Sequence, residues 1–318
     1  MLSIGKILRI VLSSVLLLIA SIYILMLFPN IEVGIFASLS LNTWFSVILL
    51  FVIVQLLNLW LFKVLLYNVC RNTSLYKLSL IFYSSYALNF VGPLKIGVPG
   101  RVLLFKRILR VPYDAGVITV VLSTGLDVLM ITTLAFASAA WLTVSPIAGL
   151  VLGLAAISMF TVCMEIYRRS PFLIPKRPAW LGSLLLNVAD ISLPVLLGAI
   201  LISATKIVLN GFANWLVLVG LGPTVGLAEF CFAYFSSHMA GLLSFLPMGL
   251  GVRDASVIEL LGRMGTSPSI GVAFVAIDRL VWTLIPLVLG LMAGWHLGVN
   301  ELIKSVRSES EPDKVGIQ

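Results

Sequence analysis

Long apolar runs that carry almost no charge constrain the fold of this sequence more than any other feature. Several are long enough for a helix of about 20 residues, the length that crosses a hydrocarbon core of roughly 30 Å. Charged residues make up only 11% of the chain, against roughly 25% in an average soluble domain. The alternating pattern of outer-membrane strands is absent. We therefore predict an all-α polytopic integral membrane protein.

The apolar runs predict about six full spans and two shorter segments. The spans are 7–28, 43–67, 115–142, 144–167, 180–205 and 270–299. Shorter apolar segments, 74–91 in the first half and 212–221 with 224–246 in the second, lead into two loops rich in Pro and Gly, and we predict that both regions are re-entrant. Short helices are expected at 101–110 and 252–264. Residues 1–300 would form one transmembrane domain, and the charged residues 301–318 predict a disordered cytoplasmic tail.

The two Pro/Gly loops resemble each other. Residues 93–98, PLKIGV, correspond to residues 247–252, PMGLGV. An arginine follows each motif, and an aspartate lies farther on within an apolar run: Arg101 and Asp127 in the first copy, Arg253 and Asp278 in the second. The sequence therefore predicts an internal repeat with halves at about 43–142 and 180–299. Broken hydrophobic segments in matching halves are typical of transporter sites.

The positive charges predict how the chain crosses the membrane. With both termini in the cytoplasm and both short segments returning to their starting side, nearly all of the 21 basic residues are cytoplasmic. The exceptions are Lys206, Arg253, Arg263 and Arg279. This bias is typical of cytoplasmic loops. The two Pro/Gly loops then enter from opposite faces, so the repeat is predicted to be inverted, with a site near the midplane.

The motifs resemble those of the transmembrane region of the lysylphosphatidylglycerol synthase/flippase family, the flippase-like domain proteins of bacteria and archaea. Residues 246–261, LPMGLGVRDASVIELL, are similar to the family signature Pro-Gly-Gly-x-Gly-x-x-Glu, with Asp254 at the glutamate. Residues 93–101, PLKIGVPGR, are similar to Pro-x-Lys-x-Gly-Glu-x-x-Arg, with Val98 at the glutamate. Whether Val98 changes the mechanism is left open.

The resemblance implies a multi-pass protein of a prokaryotic plasma membrane that moves or handles a lipid with an anionic or glycosylated head group. The sequence has no counterpart of the soluble aminoacyl-transferase domain of the full synthases, so we do not expect it to aminoacylate lipid. A glycosyltransferase or synthase of the same membrane is a candidate partner. The sequence leaves open whether the protein is a homo-oligomer.

The candidate substrate-binding residues lie in or beside the two motifs: Lys95, Gly97, Gly100, Arg101, Gly249, Gly251, Arg253 and Asp254. The guanidinium groups can hold a lipid phosphate through bidentate hydrogen bonds. The glycines let the backbone turn or approach a ligand closely. Alternatives remain for the arginines, because they can anchor the chain at the interface and Arg253 can pair with its neighbour Asp254.

Three acidic residues within apolar runs are candidates for proton coupling: Asp127, Glu229 and Asp278. A charge at the bilayer centre costs roughly 2.5–3.5 kcal/mol on insertion scales, so such residues usually have a function. Pairing of Asp278 with the adjacent Arg279 is an equally good interpretation of that residue.

No motif of an ATPase, zinc hydrolase or serine hydrolase occurs, so we expect no catalytic residue and no cofactor. The three cysteines are far apart and form no metal-binding pattern. The basic residues lie in short loops beside apolar runs, which argues against nucleic-acid binding. Two alternatives to a transporter remain: an integral-membrane enzyme that modifies a lipid-linked phosphate or sugar, and an accessory protein for such an enzyme.

Overall fold

The computed structural model describes residues 39–67, 69–91, 97–169, 191–244 and 247–310, and the regular structure in these ranges is helical. The α-helices are α1 (Leu41–Leu65), α2 (Leu75–Val91), α3 (Gly97–Leu109), α4 (Tyr113–Thr143), α5 (Pro146–Arg169), α6 (Leu193–Gly220), α7 (Leu227–Leu243), α8 (Val252–Arg263), α9 (Pro268–Arg279) and α10 (Ile285–Ser310). A 3₁₀ turn, Pro247–Gly249, precedes α8, and a π-helical segment, Leu280–Leu284, joins α9 to α10.

Four helical stretches in the described residues are long and apolar enough to cross a membrane. They are Leu41–Leu65, Tyr113–Thr143, Leu193–Gly220 and Pro268–Gly298. The shortest has 25 residues, about 37 Å at 1.5 Å per residue. The prediction of an all-α membrane protein is confirmed. The predicted span 7–28 lies outside the described residues, so the number of spans stays a prediction.

One predicted boundary was wrong. We expected a span that ends at residue 205 and a separate segment that begins at residue 212, but α6 is a single helix of 28 residues, Leu193–Gly220. The polar residues Lys206 and Asn210 lie in the predicted gap between the two segments. Lys206 is instead buried within the helix and paired with Asp127 of α4. A charged residue with a partner inside the protein does not interrupt a membrane helix.

The order and lengths of the helices recur in the two halves of the chain. The first half, α1–α4, has helices of 25, 17, 13 and 31 residues. The second half begins with α6, α7 and α8, of 28, 17 and 12 residues, and ends with the stretch Pro268–Gly298. The packing is reciprocal, because α2 packs on α10 and α7 packs on α4. The orientation of each half across the membrane stays a prediction.

The short helices α3 and α8 each form a hairpin with the helix that precedes them, α2 and α7. A β-carbon at Gly97 of α3 would collide with the Ser85 carbonyl of α2, so this glycine sets how closely the two helices approach. In the second half, Gly249 has φ +65°, and a β-carbon there would lie 2.9 Å from the Cα of Gly241. At 13 and 12 residues, α3 and α8 reach only about 20 Å. These lengths suit re-entrant segments, although re-entry itself stays a prediction.

The π-helical segment has an identifiable cause. Pro286 has no N–H group, so the Trp282 carbonyl, four residues earlier, lacks its α-helical donor. The Tyr86 hydroxyl of α2 donates a hydrogen bond to this carbonyl at 2.8 Å. Farther along α10, a β-carbon at Gly290 would collide with the Tyr83 carbonyl. The helix continues to Ser310 and so includes the first ten residues of the predicted tail.

Candidate functional site

A cavity of about 400 Å³ lies between the two halves, and we call it the interhalf cavity. Helices α1, α2 and α4 of the first half line it, as do α6, α7, α8 and the π-helical segment of the second half. Its polar lining residues are Gln55, Asn58, Tyr86, Thr124, Asp127, Lys206, Asn210, Tyr234, His238, Arg253, Trp282 and Thr283. The volume lies in the range of small-molecule sites, roughly 300–1,000 Å³.

Corresponding positions of the two halves line this cavity. Several pairs of lining residues are 152 positions apart, among them Asn58 and Asn210, Phe82 and Tyr234, and Tyr86 and His238. The same spacing relates Arg101 to Arg253. The internal repeat thus contributes matching residues from both sides of one cavity.

Lys206 connects the two halves at the cavity wall. Its Nζ lies 2.7 Å from Asp127 Oδ1 of α4, and it donates to Asn58 Oδ1 of α1 at 2.8 Å. Ser203 Oγ also donates to the Asp127 carboxylate, at 3.0 Å. The Lys206 side chain is only 4% exposed, whereas that of Asp127 is 33% exposed. Sequence reasoning left Lys206 out of the site, although it is the single charged residue of α6.

Arg253 forms a second ion pair at the cavity. Its guanidinium donates to Asp278 Oδ2 at 2.7 Å and lies over the Tyr234 ring, 5.5 Å from its centroid. The Tyr234 hydroxyl accepts from Asn214 Nδ2 at 2.9 Å. Its single proton serves two acceptors, Asn210 Oδ1 at 3.0 Å and Asp278 Oδ1 at 3.2 Å. Arg253 is therefore held at the cavity wall by a buried network of α6, α7 and α9.

Asp254 follows Arg253 in the sequence but forms its ion pair with a different residue, Arg279. Its Oδ1 accepts two hydrogen bonds from Arg279, at 2.7 and 3.0 Å. Its Oδ2 accepts from the Gly251 N–H at 3.1 Å, which caps α8. Neither pairing of adjacent residues that we considered, Arg253 with Asp254 or Asp278 with Arg279, is the ion pair that forms. Asp254 is 2% exposed and does not line the cavity.

Arg101 lies one layer behind the cavity wall. Its Nε donates to Ser85 Oγ at 2.8 Å, and its guanidinium carbon lies 4.9 and 5.0 Å from the ring centroids of Phe62 and Phe82. Phe82 lines the cavity and Arg101 does not. Within the described ranges Arg101 forms no ion pair, so these cation–π contacts and one hydroxyl stabilise its charge.

The predicted glycines divide into two groups. Gly249 lines the cavity, and Gly251, at φ +81°, begins α8. Gly97 and Gly100 lie in α3 and face α2, with the Leu88 side chain 3.0 Å from a β-carbon built at Gly100. Of the four glycines, Gly249 alone lines the cavity, Gly251 serves the turn into α8, and Gly97 and Gly100 serve helix packing.

Two predicted residues remain, Lys95 and Glu229. Lys95 is outside the described residues. Glu229 is in the first turn of α7, where its carboxylate accepts from the Gly226 N–H at 2.9 Å. It does not line the cavity, and its role in proton coupling stays a prediction.

The fold and the cavity define a class, that of helical membrane proteins with a polar cavity between two corresponding halves. Within this class, residues 6–290 match the family described as the lysylphosphatidylglycerol synthase TM region. The chain belongs to this family, and the resemblance identified from its motifs is confirmed. It is also similar to the UPF0104 membrane protein MJ1595 of Methanocaldococcus jannaschii, with 28% identity over 95 residues. That match covers 30% of this chain and 28% of the relative.

Proposed function

We propose that this protein binds the polar head group of an anionic or glycosylated lipid in the interhalf cavity and moves the lipid between leaflets. The observation that carries the proposal is the position of the cavity, at the junction of two halves that line it with corresponding residues. A volume of about 400 Å³ suits a head group. The acyl chains of the lipid would stay in the bilayer.

The inverted repeat supplies a physical basis for transport. Two halves of opposite orientation can exchange their conformations, which opens a midplane cavity first to one side and then to the other. The distribution of basic residues favours this arrangement, with both termini in the cytoplasm of a prokaryote. Membership in a family named for a lysylated phospholipid supports a lipid as the substrate.

Asp127 is the best-placed acidic residue for proton coupling. Its side chain is 33% exposed, compared with 2% for Asp278, so protons reach it more readily from the cavity. Protonation of Asp127 would remove the charge that holds Lys206 of the second half to α4 of the first half. The two halves would then separate more easily at this point.

The proposal is tested with purified protein in liposomes that carry fluorescent phosphatidylglycerol, polyprenyl-phosphate or glycosyl-diacylglycerol. Lipid movement is followed as accessibility of the fluorophore to an external quencher. Thr124→Trp fills the cavity, and we expect it to abolish movement. Val121→Trp is the matched control, because Val121 is on the same helix, is 63% exposed and does not line the cavity.

The outcomes separate the proposed function from its alternatives. Movement that is lost in Thr124→Trp and kept in Val121→Trp supports transport through the cavity. Chemical conversion of the lipid, without movement, would support the alternative of an integral-membrane enzyme over that of a transporter. If no lipid moves or changes, the accessory role is the better explanation.

A further inference from the structure

We infer that the head group bound in the interhalf cavity is an uncharged sugar. This inference rests on the proposed lipid-binding function and narrows its substrate class. It follows from the charges of the cavity wall, from its unsatisfied hydrogen-bonding atoms and from its aromatic surfaces.

The two basic residues that line the cavity are each held in an ion pair. Lys206 is paired with Asp127, and Arg253 is paired with Asp278, each at 2.7 Å. A phosphate in the cavity would add a negative charge beside the Asp127 carboxylate, and it would compete with Asp127 and with the buried Asp278 for the same cations. An uncharged ligand leaves both ion pairs intact, so the described residues favour a neutral head group.

The unsatisfied atoms of the lining residues are neutral hydrogen-bonding groups. Gln55 Oε1, an acceptor, and Trp282 Nε1, a donor, are buried and have no partner among the described residues. Gln55 is 9% exposed and lies one turn along α1 from Phe51, whose ring packs against Trp282 at 5.2 Å. A buried polar atom without a partner is rare and costly, which points to a missing ligand. A hydroxyl group both donates and accepts, so it suits such a pair.

His238 adds a third neutral group. Its Nδ1 lies 2.8 Å from the Tyr234 carbonyl, and a carbonyl only accepts, so Nδ1 carries the proton. In the neutral ring Nε2 is then an acceptor, and it has no partner in the described part of the chain. His238 lines the cavity at the position that corresponds to Tyr86.

Aromatic side chains favour a sugar over a smaller polyol. The rings of Phe82, Tyr86 and Trp282 all line the cavity. A sugar ring has hydroxyl groups at its edge and C–H groups on its faces. Amide and indole groups can therefore bind its edge while an aromatic ring covers its face.

The test compares two lipids with identical acyl chains, glucosyl-diacylglycerol and phosphatidic acid, bound to the protein in phosphatidylcholine nanodiscs. Three variants each remove one unsatisfied buried atom: Gln55→Leu, Trp282→Phe and Thr266→Val. The last is the matched control, because Thr266 is 4% exposed, has an unpartnered Oγ1 and does not line the cavity. Gln55→Leu and Thr266→Val exchange a side chain for an apolar one of similar size, so both should keep at least the wild-type unfolding temperature. Trp282→Phe also removes part of the ring that packs against Phe51, so we expect a lower unfolding temperature for this variant and measure its binding well below that temperature.

We expect the wild type to bind the glucosyl lipid more tightly than phosphatidic acid. Gln55→Leu and Trp282→Phe should each lower the affinity for the glucosyl lipid about 3- to 10-fold, as expected for one lost hydrogen bond. Neither variant should change the affinity for phosphatidic acid. Thr266→Val should change neither. The inference would be overturned if the wild type bound phosphatidic acid more tightly than the glucosyl lipid. It would also be overturned if all three variants bound the glucosyl lipid as tightly as the wild type does.

Failure of this inference is distinguishable from failure of the proposed function. If phosphatidylglycerol is transported and Gln55→Leu does not affect this transport, the transporter function is supported and the preference for a sugar is wrong. Binding of the glucosyl lipid that needs Gln55, without movement of any lipid, would retain the sugar site and remove transport.

Discussion

Arg253 pairs with Asp278 at 2.7 Å, and its neighbour Asp254 pairs with Arg279 at the same distance with the charges exchanged. Two adjacent residues in the first turn of α8 are thus matched to two adjacent residues at the end of α9. All four side chains are largely buried, with exposed fractions between 2% and 12%. The double ion pair joins α8 to α9 and fixes Arg253 at the cavity wall.

Removing one member of the buried pair Asp254–Arg279 should destabilise the protein. Arg279→Met leaves the Asp254 carboxylate, 2% exposed, without its guanidinium, and we expect a loss of about 3–5 kcal/mol in the free energy of unfolding. The control is Arg263→Met, which breaks the exposed pair with Glu259 and should cost at most about 1 kcal/mol. Unfolding in detergent micelles measures both. Equal small losses would show that the buried pair does not form.

The pair Lys206–Asp127 should matter for transport. Lys206→Met leaves a carboxylate at the cavity wall and Asp127→Asn leaves a buried lysine, so each single variant should be less stable than the double variant. The double variant should fold but lose its response to an imposed pH gradient, because it has no proton to exchange at this position. Transport in proteoliposomes with and without a gradient measures this effect. A double variant that responds like the wild type would remove Asp127 from the coupling mechanism.

The Tyr86 hydroxyl and Pro286 should show energetic coupling. Tyr86→Phe removes the donor to the Trp282 carbonyl and should cost about 0.5–1.5 kcal/mol. In a Pro286→Ala background, the new N–H at position 286 can reach this carbonyl, so Tyr86→Phe should cost less. A double-mutant cycle of unfolding free energies measures the difference. Additive losses would mean that the proline is not the reason for the contact.

Close packing of α2 on α10 should be sensitive to one glycine. A β-carbon at Gly290 would collide with the Tyr83 carbonyl and would lie 2.8 Å from Ala87 Cβ. Gly290→Ala should therefore cost about 1–3 kcal/mol of stability. Gly298→Ala on the same helix is the control, because nothing lies within 4 Å of its β-carbon position, and it should be neutral or stabilising. A neutral Gly290→Ala would indicate looser packing.

The predicted inversion of the two halves implies that the two motifs are accessible from opposite sides of the membrane. Val98→Cys and Val252→Cys, each made after replacement of Cys70, Cys163 and Cys231, are labelled with reagents that do not cross the membrane. We expect the two positions to be labelled from opposite sides of the membrane. Labelling of both positions only from the cytoplasm would disprove the inversion.

Much of the helical framework could be predicted from the sequence. The bounds of α1 and α4 agree with the predicted spans to within two residues, because long apolar runs leave few alternatives in a membrane. Helix α6 was divided wrongly because a charged residue interrupts its apolar run. Lys206 looks like the end of a span when its partner is unknown, and that partner is 79 residues earlier in the chain.

The candidate site was predicted less completely than the helices. Arg253 and Gly249 line the cavity as the motif suggested, but Lys206, Gln55 and Trp282 were missed. Each of these three is a polar or amphipathic residue in a largely apolar stretch of helix, without a motif around it. Only the packing of different helices brings them to the same cavity.

The sequence by itself determined the class of protein, the family and most of the helices, and it predicted the internal repeat. These properties depend on composition and on local or repeated patterns. Only the tertiary structure decided the ion pairs, since Arg253 reaches Asp278 rather than Asp254, and Lys206 reaches Asp127 of the other half. A buried charge needs a counter-charge within a few ångströms, and in a helical membrane protein the packing of helices, not the spacing along the chain, sets that distance.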